Sequence, residues 1–423
     1  YFEGEPRWEV KFLRRAVSED DNLQVVVLQR TAESKFLRLD VDDAEELAAG
    51  FPRTREELFR YRALILGSVE ASFFTHDQLD MISDFVSRRG GGLLVLGGRN
   101  AFAEGSYQGT RLAEALPIFM DDELSTGAGP YFGELFITPT RAGLTHPITQ
   151  LGEDNSEAVR ERWESLPPVT TLNPITRLKP GATGLLTGGT EEDRDRQVVL
   201  AYHRYGRGKV IALPIQDSWI WQMHADIPLE DQTHETFWRQ LLRWLTDGVP
   251  QQVEAQGERE LVEPGQPINL LVEVGDSAYA EVNNANVVAV VRDPSGDSTT
   301  VTLDWDVEQD GQYDGSFPTT GPGLYEVSVR ASRGADDIGT AFTYVEVAPS
   351  ADEYFDASMR GTTLRRVADQ TGGLFYTPES VATLPEDISL TGAGIRLTEE
   401  RDLWDMPILL ILVLCLMAGE WGY

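Results

Sequence analysis

The chain has 423 residues, too many for a single hydrophobic core, so two to four domains are expected. It carries 69 acidic and 36 basic side chains, and this net charge of −33 argues against nucleic acid as a partner because phosphates need cations. We interpret the acidic surface as halophilic adaptation, since high salt screens its self-repulsion. The single cysteine, Cys415, excludes an intramolecular disulfide and a cysteine-rich metal site.

Residues 1–248 alternate apolar runs with amphipathic stretches. The stretch 62–70 is typical of a buried strand, and 75–90 predicts a helix that Thr75 and Gln78 cap through a capping box. The run 92–98 predicts the next strand. This alternation predicts an α/β domain with a mostly parallel sheet covered on both faces, and we interpret residues 118–180 as an insertion in it.

The pattern changes near Pro250. Residues 251–349 form short alternating runs between Gly, Pro and Asp turns, as where Ile268, Leu270 and Val272 are spaced two apart. This pattern predicts an immunoglobulin-like or fibronectin-like β-sandwich without a disulfide. Residues 350–400 predict a small α/β linker element with a helix and a strand at 374–377.

The C-terminal segment 403–423 is strongly apolar. No charged residue occurs from Met406 to Gly419, and aromatic residues flank this run, as they do at membrane interfaces. We therefore expect a truncated transmembrane helix, the membrane as a partner, and a cell-membrane protein whose bulk is extracytoplasmic. The alternative is a buried core helix. Tyr1 reads as the middle of a strand, so we expect a fragment cut at both ends.

Ligands of open α/β sheets bind beyond the carboxyl ends of the strands. The candidate crevice residues at those ends are Glu3, Glu5, Arg7, Glu70, Arg99, Asn100, Asp217 and Trp219. They could bind a polar ligand. Alternatively, the acids and bases pair with one another and only fix the loops.

Catalytic patterns are weak in this sequence. Neither Ser68 nor Ser106 lies in a Gly-x-Ser-x-Gly frame, and His224 is the only histidine near a candidate strand end. The histidines lack metal-ligand spacing, and the glycines of 90–98 match no phosphate-binding frame. We predict no catalytic residue, no metal and no cofactor.

Three segments, 1–17, 59–118 and 204–223, together resemble the glutamine amidotransferase-like domain of large bacterial membrane proteins. Those proteins often carry a von Willebrand factor A domain upstream, and their genes often lie beside similar ones. The resemblance covers about residues 1–248, and the tail 403–421 also looks like the last membrane helix of that family. It implies a class I glutamine amidotransferase-like, flavodoxin-like fold, and other membrane proteins of the same gene cluster as partners.

Members that are true amidotransferases carry a cysteine nucleophile on the turn after a central strand, with a histidine and a glutamate downstream. The matching elbow residue here is Gly98 or Arg99, and Gln216-Asp217 stands where related families have Gly-His. Triad members act as a unit, so two vacant roles remove the chemical step. The resemblance therefore implies a pseudoenzyme.

Two functions follow as hypotheses. The first is a non-catalytic, membrane-anchored extracytoplasmic scaffold or sensor that binds a partner or ligand at the strand-end crevice. The second is a hydrolase or amidotransferase-like enzyme with a substitute nucleophile such as Ser106, or with carboxylate assistance from Glu3, Glu70 and Asp217. Glutaminase activity supplied by a second chain is a third possibility.

Overall fold

The computed structural model describes residues 1–120, 131–152, 155–175, 177–191, 197–259, 261–348, 358–387 and 406–422. These divide into two compact units, Tyr1–Ser350 and Ala351–Tyr423. The first unit contains a ten-stranded and an eight-stranded sheet. The second contains only helices among the residues described.

The ten-stranded sheet has the order β3-β2-β1-β4-β5-β10-β9-β8-β6-β7. Its strands are β1 (Phe2–Glu3), β2 (Val27–Ala32), β3 (Lys35–Leu39), β4 (Ala63–Leu66), β5 (Gly92–Leu96), β6 (Tyr131–Pro139), β7 (Val169–Leu172), β8 (Thr183–Gly189), β9 (Gln197–Tyr205) and β10 (Gly208–Leu213).

The prediction of a mostly parallel, flavodoxin-like sheet is wrong. Four neighbouring pairs are parallel, from β2 through β1, β4 and β5 to β10, whereas the other five are antiparallel. The reason lies in the connections. Only Gly206 and Arg207 separate β9 from β10, and a parallel pair needs a crossover of about a dozen residues. The stretch 118–180 supplies β6 and β7 of this sheet.

Helices cover both faces of this sheet. They are α1 (Trp8–Val17), α2 (Arg55–Phe59), α3 (His76–Ser87), α4 (Arg111–Ala115), α5 (Ser156–Glu164), α6 (Ile220–Met223) and α7 (Thr233–Thr246). As predicted, α3 begins with a capping box: Gln78 N donates to Thr75 Oγ1 at 3.2 Å, and Thr75 N donates to Gln78 Oε1 at 3.1 Å. Its face around Ile82 and Phe85 is fully buried, which fixes the helix against the sheet.

The eight-stranded sheet has the order β11-β13-β16-β15-β14-β17-β18-β12. Its strands are β11 (Val253–Gly257), β12 (Leu261–Val262), β13 (Pro267–Val274), β14 (Asn286–Arg292), β15 (Ser298–Trp305), β16 (Gln312–Pro318), β17 (Gly323–Arg333) and β18 (Asp336–Val347). All neighbouring pairs are antiparallel except β12 with β18. Ile268, Leu270 and Val272 alternate inward along β13, as the sequence predicts.

A tyrosine near the start of β17 holds the turn that precedes this strand. The Tyr325 hydroxyl donates to the carbonyl of Gly321 at 2.9 Å and accepts from Thr320 N at 2.9 Å. This is the tyrosine corner found in immunoglobulin-like sandwiches. The ring is buried, while the backbone groups that the hydroxyl contacts belong to the exposed Thr320 and the half-buried Gly321.

We expect Tyr325→Phe to destabilise this domain by about 1 kcal/mol, since it removes the hydrogen bonds that hold the turn before β17. Hydrogen exchange along β17, measured in the full chain, should accelerate. Tyr344→Phe is the matched control, because the Tyr344 side chain is exposed. Equal exchange in both variants would contradict the prediction.

The second unit contains α8 (Gly361–Thr371), α9 (Leu384–Asp387) and α10 (Pro407–Trp421). The predicted helix of the linker element corresponds to α8. Its predicted strand at 374–377 is wrong, because these residues form no strand. The rest of the predicted element, at 350–357 and 388–400, lies outside the described residues.

The predictions of a transmembrane helix and of the membrane as a partner are also wrong. In the part of the chain that the structure describes, no helix is both long and apolar enough to cross a bilayer. The helix α10 has 15 residues, and at about 1.5 Å per residue it falls short of the ~30 Å hydrocarbon core. Residues 403–405 of the predicted span lie outside the described residues.

Candidate functional site

Three of the parallel strands bring polar residues to one edge of the sheet. Glu3 ends β1, Ser68 lies just after β4, and Gly97 follows β5 directly. Because these strands run in the same direction, their carboxyl ends meet, as the sequence analysis assumes. We call Glu3, Arg7, Ser68, Gly97 and Gly98 the strand-end cluster.

Glu3 is the centre of this cluster and is fully buried. Its Oε2 accepts from Arg7 Nη2 at 2.7 Å and from the Tyr1 hydroxyl at 2.6 Å. Its Oε1 accepts from Ser68 N at 2.9 Å. The carboxylate is thus paired and hydrogen-bonded on both oxygens, which is how a buried charge is stabilised. Glu3 and Arg7 hold loops together and have no free atom for a ligand.

The glycine elbow is packed between its neighbours. A methyl group added at Gly97 would lie 2.3 Å from the carbonyl oxygen of Pro214, and one at Gly98 would lie 2.4 Å from Cβ of Ser68. Gly98 therefore has no room for a nucleophilic side chain. Arg7 Nη1 also donates to the Gly97 carbonyl at 2.5 Å, so the strand end is held from two sides.

Asn173, which sequence reasoning missed, holds the elbow with its side-chain amide. Its Oδ1 accepts from Gly98 N at 2.8 Å, and its Nδ2 donates to the Gly98 carbonyl at 2.9 Å. The same Nδ2 donates to Glu104 Oε2 at 2.9 Å. Asn173 lies in the stretch interpreted as an insertion, and no local pattern connects it with residue 98.

Arg99 and Asn100 follow the elbow and face outward. Asn100 N donates to Ser68 Oγ at 3.0 Å, which fixes the backbone beside Arg99. The Arg99 side chain is exposed and has no ion pair or hydrogen bond in the described part of the chain. A guanidinium without a partner, on a rigid loop of an acidic protein, is available to an external anion.

Glu5 and Glu70 lie on the same edge. Glu70 forms a bidentate ion pair with Arg30, at 2.7 and 2.8 Å, and Arg30 Nε donates to the Gly4 carbonyl at 2.9 Å. The hydrogen-bonded Arg30 lowers the pKa of Glu70 below its usual value. The backbone N of Glu5 lies 3.4 Å from Glu3 Oε1. The acids and bases of the crevice therefore largely pair with one another.

Asp217 and Trp219 do not join the strand-end cluster. Asp217 Oδ2 accepts from Thr170 N at 2.7 Å and from Thr170 Oγ1 at 2.6 Å, which ties the end of β10 to β7. Burial raises the pKa of Asp217. Trp219 stacks on Phe12, with ring centroids 6.3 Å apart. Both residues contact other parts of the fold.

A second polar cluster, of Glu9, Ser218, His234 and Trp238, is buried between α1, α6 and α7. Ser218 Oγ donates to Glu9 Oε1 and lies 3.3 Å from His234 Nε2. Trp238 Nε1 lies 3.1 Å from Ser218 Oγ and also 3.1 Å from His234 Nε2. Sequence reasoning missed this cluster, because Glu9 and Ser218 are far in sequence from each other, and Glu9 is far from the helical pair His234 and Trp238. Only the position of Ser218 after a strand end was noticeable.

This cluster has the residue types of a catalytic triad but not its arrangement. In a triad the carboxylate orients the histidine through Nδ1, whereas here it accepts from the serine, and His234 Nδ1 has no partner within the described residues. Ser218 is 0% exposed, so no substrate reaches its hydroxyl. Burial lowers the pKa of His234 to about 3 and raises that of Glu9 to about 7, so the histidine stays neutral.

The contacts that a hydrolase would need are missing around Ser106. Its side chain is exposed, and no hydrogen bond joins its hydroxyl to a histidine or a carboxylate in the described residues. His224 instead accepts a hydrogen bond from Asp226 N at 3.3 Å. Among the residues described, no group of three or more His, Cys, Asp or Glu side chains is arranged to hold a metal ion.

No family model and no curated protein matches this chain. Two solved structures of cytoplasmic proteins from Salmonella typhimurium are similar over 56% of this chain and 86% of theirs, with 19% and 22% identity and a TM-score of 0.39 each. The Lin-41 filamin domain is similar over 24% of this chain and 95% of its own, with 16% identity and a TM-score of 0.20. Likenesses this weak identify neither a family nor a function.

Proposed function

We propose that the α/β part of this chain is a non-catalytic recognition module, and that Arg99 captures the carboxylate or phosphate group of a ligand beyond the carboxyl ends of the parallel strands. The observation that carries the proposal is the exposed, unpaired guanidinium of Arg99 on a loop whose backbone is fixed. Guanidinium groups match carboxylate and phosphate geometry through paired N–H donors.

The surroundings of Arg99 support binding rather than chemistry. Gly98 cannot accept a side chain without a clash against Ser68. Ser68 is itself fully buried and accepts from the backbone of Asn100. An activated nucleophile must be exposed and must lie beside an oriented base. No described residue at this edge meets both conditions.

The rigidity of the loop favours binding. Asn173 holds Gly98 by two hydrogen bonds, and Arg7 holds the carbonyl of Gly97. A loop that is already ordered loses little conformational entropy when a ligand binds. Binding is opposed by the repulsion between an anion and a chain of net charge −33. Salt reduces this repulsion.

Isothermal titration with sodium citrate and with pyrophosphate, at low and at high salt, tests this proposal. We expect at least one of these anions to bind, and Arg99→Ala to weaken its affinity about tenfold, as loss of a charged hydrogen bond does. Arg160→Ala is the matched control, because Arg160 is also exposed but belongs to α5 and not to the loop after β5. Its affinity should equal that of the unaltered protein.

Three results would contradict the proposal. The first is that neither anion binds, and the second is that Arg99→Ala and Arg160→Ala weaken binding equally. The third is release of ammonia from glutamine by the purified protein, lost on Arg99→Ala or Ser106→Ala. That result would make the module an enzyme.

A further inference from the structure

Helix α1 presents a surface of a different kind from the strand-end edge. Trp8, Lys11 and Arg15 are spaced by three and four residues, so they lie along one side of the helix. All three are exposed, and Trp8 has 61% of its surface accessible. A large exposed indole beside two cations is unusual on a protein with nearly twice as many acids as bases.

Lys11 is held in place by aromatic rings rather than by a carboxylate. Its Nζ lies 5.4 Å from the centre of the Trp8 ring and 5.6 Å from that of Phe12. Neither Lys11 nor Arg15 forms an ion pair within the described residues. Cation–π contact positions the ammonium group but leaves its hydrogen-bond donors free for a partner.

A groove of about 480 Å³ runs beside these cations. Lys11, Arg14 and Arg15 line one side of it, and the half-buried side chains of Leu23 and Val25 supply apolar surface. Arg14 is already engaged by Asp40, through hydrogen bonds of 2.7 and 2.9 Å. Lys11 and Arg15 are therefore the two cations that can meet an external charge.

We infer that this groove, which we call the α1 groove, docks a short acidic segment of a partner protein that also carries an aliphatic side chain. Carboxylates of the segment would meet Lys11 and Arg15, and the aliphatic side chain would cover Leu23 and Val25. Charge complementarity selects this occupant. A longer polyanion such as nucleic acid would extend past the two cations onto a chain of net charge −33.

The length of the occupant follows from electrostatics. Asp21 is exposed just beyond the helix and forms no ion pair within the described residues, so a second acidic stretch on the partner would be repelled there. The surface therefore accepts only a few carboxylates. Apolar contact with the groove and the Trp8 ring must supply the rest of the affinity, since exposed ion pairs contribute about 1 kcal/mol or less each.

Fluorescence anisotropy with a labelled peptide of glutamates around a central leucine tests this inference. We expect the full chain to bind this peptide and not its glutamine counterpart. The double variant K11Q/R15Q should bind about tenfold more weakly, because it removes both cations. K35Q/R160Q is the matched control, since Lys35 and Arg160 are exposed cations elsewhere on the surface.

Circular dichroism must show that both double variants are folded, and an additional variant, Leu23→Gln, tests the apolar side of the groove separately. Equal binding by K11Q/R15Q and K35Q/R160Q would overturn the inference, as would equal binding of the glutamate and glutamine peptides. Self-association of the chain in sedimentation, abolished by K11Q/R15Q, would also overturn it, because the occupant would then be a second copy. Citrate binding through Arg99 is independent of each of these results.

Discussion

Glu3→Gln is expected to lower the free energy of unfolding by about 3–5 kcal/mol, because it leaves the guanidinium of Arg7 buried without its counter-charge. The Glu3 carboxylate also accepts from Tyr1 and from Ser68 N, and a neutral amide would turn one of these contacts into a repulsion between donors. Urea unfolding of the full chain measures the change. Tryptophan fluorescence reports this part of the molecule, since Trp163 and Trp238 are buried within it.

Glu70→Gln is the matched control for this measurement. Glu70 also pairs with an arginine, but the side chains of Arg30 and Glu70 are 18% and 32% exposed, so water compensates for the lost charge. We expect a loss of at most about 1 kcal/mol. Similar losses in the two variants would show that Glu3 does not behave as a buried ion-pair partner.

Glu9 should make the chain less stable as pH rises from 5 to 7, and Glu9→Gln should remove this contribution. Burial raises the pKa of Glu9 from 4.5 to about 7, against the opposing hydrogen bond from Ser218. The folded chain therefore binds this proton more tightly than the unfolded chain does. The contribution is fully present below the unfolded pKa and is lost through pH 7, on the order of 3 kcal/mol.

His234 makes the free energy of unfolding depend on pH in the opposite direction at acidic pH. Burial, and then the charge of Arg15, lowers its pKa from 6.5 to about 3, so the unfolded chain takes up this proton first. Its contribution is present above the unfolded pKa and is lost as pH falls from 6.5 toward 3. These two groups together place the stability maximum between about pH 5 and 6.5.

Urea unfolding at several pH values checks both dependences. In Glu9→Gln the amide keeps an acceptor for Ser218 but cannot titrate, so nothing offsets His234 and the stability of the variant should rise by about 2 kcal/mol from pH 5 to 7. The acidic limb, which His234 governs, should remain. A variant profile parallel to that of the unaltered protein over pH 5–9 would contradict the assignment of the titration to Glu9.

Local patterns predicted local structure well. The capping box of Thr75 and Gln78 and the alternation along β13 both occur as expected, because each depends on residues near in sequence. The direction of a strand in a sheet does not depend on nearby residues alone, so local patterns did not predict it. The apolar runs of β8, β9 and β10 look like strands of either direction, and only the short turn at Gly206 reveals that β9 and β10 are a hairpin.

The site was predicted in part for the same reason. Glu3, Arg7 and Arg99 do lie at one edge, since parallel strands bring their carboxyl ends together. Glu3 and Arg7 pair with each other, whereas Arg99 has no ion-pair partner among the described residues, and only interatomic distances show this difference. Asn173 could not be found from the sequence, because its contact with Gly98 joins residues 75 positions apart with no shared motif.

The C-terminal segment shows that apolar composition alone does not predict a membrane span. An uncharged run is a statement about hydropathy, whereas crossing a bilayer also requires length, and α10 ends at Trp421 after 15 residues. The wrong prediction came from reading flanking aromatic residues as interfacial anchors. Of the flanking aromatic residues, Trp404 and Tyr423 lie outside the described residues, and only Trp421 is described.

Strand β10 pairs in parallel with β5 and antiparallel with β9, and residues 209–212 take part in both pairings. The parallel and antiparallel parts of the sheet therefore meet at β10. Neither part can change its strand register without moving the other. The hairpin at Gly206 lies at the Gly92 end of β5, so strain applied there would reach Leu96 and the elbow only along the full length of β10, from Lys209 to Leu213. The loop that presents Arg99 is therefore anchored through the end of β10, where the Leu213 carbonyl accepts a hydrogen bond from Gly97 N at 2.8 Å.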